Sequence, residues 1–482
     1  MKKIIFVASI LSLFIIIFYK IYCNQTTILG IPLIKEKNVK ELIETKEEIY
    51  YNIPLYFNGK EIPYVESENY YFINQKKDDS YVGNIYCNSE YNIVMVKPDK
   101  TKNEIIKNDE CIKIILYNDS NYKIINLKMT TLPIVTISNV EDKSVMQLFN
   151  CEGSNYIKNY YINYNIRGAS ARLVDKKSYK INLVNSNGNK EKDSLLGMRD
   201  DNDWILNPIY FDNSYIREKI GYDIWNKMSN KYNHTLEYVE LVIDGEYIGI
   251  YYLQEPVDSK TFNKNDNDIL LSIKWWDYNT ILNEDLQIQQ RIDGFELDKS
   301  DINEHKVGVL REFVKDIKTE EKSQIIEYDL DNIITYELFV NFIFGLDNVY
   351  INQKILFDYK DEKYIVVKTP WDIDRSIWND NIDHSKYEYN HFFKDDAINE
   401  QLKDASYYSL MKTKYFDFRN EFINLEYLNN LIDTYTTLLE DSGAVIRDSA
   451  KWKNTNYKNS VNIVKEYFEK RIPALDKMME VY

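Results

Sequence analysis

The stretch LDNVYINQ (346–353) and, some way on, TPWDID (369–374) carry the reading of this chain. Asp347 and Asn352 stand five positions apart. Between them and Asp372 runs QKILFDYKDEKYIVVKTP, the pattern of two strands around a polar turn. Before them Asp331, Ile334, Leu338 and Phe342 mark a helix, and Gly345 fits the residue that closes it. The spacing suits one chemistry. An Asp facing a hydroxyl can act as general base, while an amide oxygen a short loop later turns to a metal. A second carboxylate beyond a hairpin, Asp372, then holds the metal from the other side, with Asp374 on the same strand face as a further ligand or an orienting group.

Working outward, SYKINLV (178–184) alternates Tyr179, Ile181 and Leu183 with Ser178, Lys180 and Asn182, the period of a half-buried strand. YFDNSYIREKIGYDIWNKM (210–228) places Ile216, Ile220, Ile224 and Met228 four apart behind Asp212 or Asn213 as N-cap, which predicts an amphipathic helix. LEYVELVIDGEYIGIYYLQEPVD (236–258) predicts a hairpin turning at Asp244-Gly245 and ending at Glu255-Pro256. Strand with lysine, helix, hairpin, helix, Asp-x-x-x-x-Asn loop, hairpin and aspartate is the order of parts in protein kinases. The HRD and DFG words and a GxGxxG loop are absent.

Composition sets the bounds. With 482 residues, 44% hydrophobic and 28% charged, the chain predicts two to three globular domains. Seventy-six acidic and 60 basic residues give a formal charge of −16, which argues against nucleic acid as a partner while leaving a metal-neutralised nucleotide open. The four cysteines and four histidines lack zinc spacing, and the 42 tyrosines read as compositional bias. IIFVASILSLFIIIFY follows Lys2 and Lys3, so residues 1–24 predict a signal peptide or, better, an uncleaved membrane anchor with the rest outside the membrane. Residues 25–131 predict a small antiparallel β-sandwich or barrel, and 132–482 a second, α+β region ending in amphipathic helices.

Five pieces of the second region, NIRGASARLVDKKSYKINL, LLGMRDDNDWILNPIYFDNSYIREKIGYDI, YVELVIDGEYIGIYYLQEPVD, DNVYINQKILF and PWDID, resemble the spore coat protein H (CotH) kinase family. The resemblance implies an atypical, two-lobed protein-kinase-like fold that binds ATP and Mg²⁺ (or Mn²⁺) and phosphorylates Ser or Thr of secreted or spore-surface proteins. It makes Asp347 the catalytic aspartate and Asn352 and Asp372 metal ligands, with Asp374 beside them. It sets Arg167 and Lys180 near the phosphates, Arg217 near the site and Glu255 at a hinge beside the adenine. Lys176 and Lys177 are expected to face water. RGASAR departs from the family's usual RGNS, which keeps a non-catalytic kinase-like scaffold as the alternative; Asp372 and Asp374 as a glycosidase pair are a more distant one. Trp275, Trp276, Trp371 and Trp378 are read mainly as core.

Overall fold

The computed structural model describes residues 27–481 apart from 88–89, 153–155, 169–171, 230, 274–290, 293–294, 302, 319–321 and 394–401. The hydrophobic segment expected at 1–24, the middle of RGASAR, Trp275 and Trp276 lie outside these residues. No helix among the described residues is long and apolar enough to cross a membrane. The architecture is mixed α+β.

Residues 27–130 form strands, but their main sheet is mixed where an antiparallel one was expected. Ile31–Ile34 runs parallel to Asn92–Val96, and Asn121–Thr130 parallel to Tyr70–Asn74. Turn residues mark where a chain reverses and are silent on which strand it returns beside. A short helix, Lys102–Lys107, opens on a capping box between Thr101 and Glu104.

The closed barrel lies further on. Seven strands, Ile134–Val140, Lys143–Phe149, Ile157–Arg167, Ser178–Val184, Asp203–Asn207, Glu246–Gln254 and Leu236–Ile243, follow one another round it. A parallel pairing of the first with the last completes the circle. The strand Ser178–Val184 forms as its alternation predicts, sending Ile181 and Leu183 into the barrel core. The hairpin turns on Asp244 and Gly245, whose positive φ of 46° and 76° is the turn such a pair favours.

Beyond the barrel, Ile269–Ile273, Gln353–Lys360 and Lys363–Pro370 form the middle of a six-stranded sheet. Helix Glu304–Lys318 buries Leu310, Phe313 and Val314 against this sheet's Ile355, Phe357 and Val366. The predicted helix forms over Leu330–Ile343, capped by Asp329, and is buried almost all round. It ends differently from the expectation: Phe344, and not Gly345, takes the left-handed conformation (φ 54°). Phe344 packs against Trp378 and Phe393, with centroids 4.9 and 4.8 Å away, so tertiary packing outweighs glycine's backbone freedom. Trp378 is thus a core residue, sandwiched between His384 and Tyr389. Helices Ala405–Glu421, Leu425–Asp441, Ala444–Trp452 and Tyr457–Val481 complete the C-terminal part.

Helix Ala444–Trp452 ties these parts together. Fully buried Arg447 meets both oxygens of Glu240 at 2.8 Å and also pairs with Asp109, which binds Lys128 at 2.9 Å. Glu240 belongs to the barrel, and Asp109 and Lys128 to the N-terminal β region. The next residue, Asp448, accepts from Lys176 (2.6 Å), the Ile250 N–H (2.7 Å) and the Tyr215 hydroxyl (2.8 Å). Lys176 is therefore buried, contrary to the expectation that it faces water. The carboxylate reaches the strand because residue 249 is glycine: a Cβ there would lie 2.2 Å from Asp448 Oδ1.

Arg447→Ala leaves the buried Glu240 carboxylate without its counter-ion, while Asp109 keeps Lys128, a loss of about 3–5 kcal/mol. Urea unfolding should show a clearly lower midpoint; an unchanged midpoint would mean the seam does not depend on this guanidinium.

Candidate functional site

Asp347 lies in a single helical turn, Leu346–Tyr350, directly after Phe344 and Gly345. Its carboxylate is about a quarter exposed and faces Arg375 at 3.5 Å. The strands Gln353–Lys360 and Lys363–Pro370 pair in full register and bring residue 353 opposite residue 370. Asn352 and Asp372 thereby become neighbours at one end of the hairpin. The Asn352 side-chain amide donates to the Asp372 carbonyl (3.3 Å), and the Trp371 N–H donates to the Asn352 carbonyl (3.0 Å). Buried Asn348 braces both loops, its amide donating to the carbonyls of Asn352 (3.1 Å) and Trp371 (2.9 Å).

Asn352 and Asp372 both have positive φ, 53° and 55°. Asn and Asp bear that conformation better than other side chains with a Cβ. Asp374 does not share a strand face with Asp372: the strand ends at Pro370 and both carboxylates lie in the following loop.

Helix Arg217–Ser229 closes the site from behind. Gly221 faces Ile373, where a Cβ would lie 2.5 Å from the Ile373 Cδ1, so a larger residue would require the Ile373 side chain to shift. Glu218 stands nearly one turn before this contact and Tyr222 directly after it. The Asp372 N–H donates to the Tyr222 hydroxyl at 3.2 Å. Glu218 is buried; one oxygen accepts from Asn207 at 2.9 Å, while Oε1 accepts no hydrogen bond among the described residues.

Negative charge accumulates here. Burial, then the charges of Asp372 and Asp347, push the Asp374 carboxyl well above the ordinary range. Burial and the charges of Asp372 and Asp374 do the same to Glu218, with Arg167 acting against them. Arg167 itself has its pKa lowered by burial, opposed by Asp372 and Glu218. Among the described residues no three His, Cys, Asp or Glu side chains gather in metal-holding geometry.

Beside this acidic floor, reached through Trp371 and Arg167, a cavity of about 630 Å³ lies between the barrel and the six-stranded sheet. Arg167, Lys180 and Lys354 line it together with Trp371, Pro256 and Val257. The Arg167 guanidinium lies 5.5 Å from the Trp371 ring centre and the Lys354 ammonium 6.0 Å from it. Lys180 is half-exposed, 3.8 Å from Asp203.

The structure thus brings Asp347, Asn352, Asp372 and Asp374 close together; none of the four lines the cavity that Arg167 and Lys180 line, and Trp371, next to Asp372 in the chain, joins the two. It does not bring Arg217 there. That side chain is fully buried and bound to Asp212 (2.6 Å), Asp380 (3.2 Å), Ser460 (2.7 Å) and the Ile377 carbonyl (3.2 Å), so its donors hold the fold together. Glu255 precedes the lining residues Pro256 and Val257, but its carboxylate takes the Arg199 N–H (2.7 Å) and its own N–H goes to Thr235. Arg199 was missed by sequence reasoning; it braces the Pro256–Asp258 turn through the Pro256 carbonyl and Asp258, both at 3.0 Å. Glu218 was missed as well. Its signal was an acidic residue beside the apolar stripe of a predicted helix.

Behind Trp371, His234 is buried with neither ring nitrogen hydrogen-bonded among the described residues. Burial pushes its imidazole down to about 3. Between that value and the ordinary one near 6.5, the unfolded chain binds a proton that the folded chain refuses, so stability falls as pH drops through this window. From pH 7.5 to pH 5 His234 should account for a loss of about 2 kcal/mol. Chemical unfolding of His234→Phe at the two pH values should show a loss smaller by that amount; equal losses would contradict the assignment.

No curated protein matches the chain. The family model described as CotH kinase protein matches residues 164–475, well over half of the chain and including the floor, the cavity and the helices behind them. By its sequence, this chain belongs to the CotH kinase family.

Proposed function

We infer that the protein is an ATP- and Mg²⁺-dependent (or Mn²⁺-dependent) kinase that transfers the γ-phosphoryl group to Ser or Thr of secreted or spore-surface proteins. The observation that carries this reading is the junction at Trp371. A cavity with Arg167, Lys180 and Lys354 in its walls meets an acidic floor there, between a barrel and a sheet that would serve as the two lobes.

What supports a divalent cation is the donor set. Asp372 and Asp374 offer carboxylate oxygens and Asn352 an amide oxygen, and a hard cation needs only one or two carboxylates beside phosphate oxygens. The upward shift of Asp374 and the unpartnered Oε1 of Glu218 mark negative potential that a cation would relieve. When bound, the metal nucleotide supplies the transferable phosphoryl group. Arg167 and Lys180 hold its oxygens, Arg167 offering a planar fork and Lys180 a mobile point charge. The Asp347 carboxylate accepts the proton of the acceptor hydroxyl, with Arg375, 3.5 Å away, orienting it. Pro256 and Val257 form an apolar wall suited to a base. The membrane-anchored or secreted location follows from the segment before residue 25.

A kinase-like scaffold remains the second reading, favoured by RGASAR in place of RGNS at the strand end that carries Arg167. Incubation with radiolabelled ATP and Mg²⁺ separates the two. We expect phosphate incorporation that Asp347→Ala lowers by about 10²- to 10⁴-fold with nucleotide binding retained. Labelling that survives the substitution would remove Asp347 as base, and absence of ATP binding by the unaltered chain would leave the scaffold. Asp374→Asn removes a disfavoured buried charge, so the metal-free protein should melt about 1–2 °C higher while its stabilisation by Mg²⁺ shrinks. A lower melting point, with the Mg²⁺ response intact, would contradict this account of the acidic floor.

A further inference from the structure

A second cavity, of about 300 Å³, opens on the other side of the 209–215 segment and shares no lining residue with the first. Lys176 and Asp448 line it, as do Asp212 and Asn213, and two rings, Tyr210 and Trp452, contribute to its walls. None of these residues is used by the proposed phosphoryl transfer.

The polar groups here are unevenly satisfied. Asp448 accepts from Lys176 and the Ile250 N–H at Oδ1 and from the Tyr215 hydroxyl at Oδ2. Lys176 has three N–H donors, is almost wholly buried, and gives one hydrogen bond among the described residues, to Asp448. Its other neighbours are rings, Tyr251 at 5.3 Å and Trp452 at 6.0 Å, which accept no conventional hydrogen bond. Asn213 donates through its amide nitrogen to Asp380 at 2.8 Å, while its side-chain oxygen accepts nothing from the described residues. Spare donors on Lys176 and a spare acceptor on Asn213 therefore border one small cavity with aromatic walls.

The charges decide the class of occupant. Lys176 is neutralised by Asp448 and Asp212 by Arg217, each pair at 2.6 Å, and Lys453 is exposed to solvent. A net-charged ligand would lose its hydration without meeting an unpaired buried charge, since the one lining charge without an ion-pair partner among the described residues, Lys453, is exposed to solvent. A neutral molecule whose hydroxyls both accept and donate would satisfy Lys176 and Asn213 together and lay its C–H face on an aromatic ring. We propose that this cavity binds a neutral polyhydroxylated ligand of monosaccharide size, independently of the kinase reading. Tyr210 is 39% exposed, stands edge-on to Phe211, and forms the accessible ring of the site.

The test is ligand-observed saturation-transfer NMR and calorimetry on the full chain with D-glucose, D-mannose, N-acetyl-D-glucosamine and myo-inositol, and with inorganic phosphate as the charged counterpart. At least one of the four neutral probes should bind with a Kd in the millimolar range. Tyr210→Ala should weaken it about 3- to 10-fold without lowering the melting temperature. Trp452→Phe, which keeps a ring, should retain binding if the alanine variant fails to fold. No binding by any of the four, binding indifferent to Tyr210→Ala in a folded variant, or saturation by phosphate in their place would overturn the proposal.

Discussion

Arg447 and Asp448 place opposite charges side by side on the buried face of a helix, and each finds its partner in a different part of the molecule. Arg447 turns to Glu240 and Asp109, Asp448 to Lys176 and the Ile250 N–H. Leaving either unpaired would strand a charge in a low-dielectric interior, so the helix admits essentially one docking position. That position clamps the N-terminal β region to the barrel and the barrel to the C-terminal helices. A small apolar patch of Val65, Phe72, Ile134, Val242 and Tyr247 fills the space beside it, so the ionic seam and the hydrophobic seam coincide.

The cleft inherits its geometry from this docking. Helix Arg217–Ser229 is fixed at its start by the Arg217–Asp212–Asp380 network and in its middle by the contact of Gly221 with Ile373. Glu218 and Tyr222 consequently arrive behind the Asp-Ile-Asp loop, while the hairpin 353–370 delivers Asn352 and Trp371 from the front. Two loops and one helix turn, drawn from sequence positions far apart, share a single patch of negative potential. The side chain resembling a site residue, Arg217, serves this assembly by holding the helix in place.

Local periodicity made much of this readable in the sequence. The strand 178–184, the hairpins at 236–254 and 353–370 and the helix 330–343 repeat apolar residues at two or four positions over long enough runs to be recognised. What failed depended on distant partners. Lys176 looks like a solvated lysine because its counter-ion lies 272 residues away, and Arg217 is buried by groups at 212, 380 and 460. The parallel closure of the barrel and the mixed N-terminal sheet escaped for the same reason, since strand order is a property of the whole fold. Chemistry and spacing singled out Asp347, Asn352 and Asp372, which the fold places close together, whereas Glu218 and Arg199 had no distinguishing word around them.

The left-handed backbone at Asn352 and Asp372 limits how this floor can drift. Asparagine and aspartate bear such torsion angles at lower cost than most side chains, although Phe344 and Glu362 adopt them elsewhere in the fold, and both carry an oxygen that can face a cation. Accidental exchange for alanine, serine or glutamate meets conformational resistance before any loss of reactivity can be tested. The torsion angles thus add a modest conformational cost, separate from any effect on the reaction, to most exchanges at these two positions.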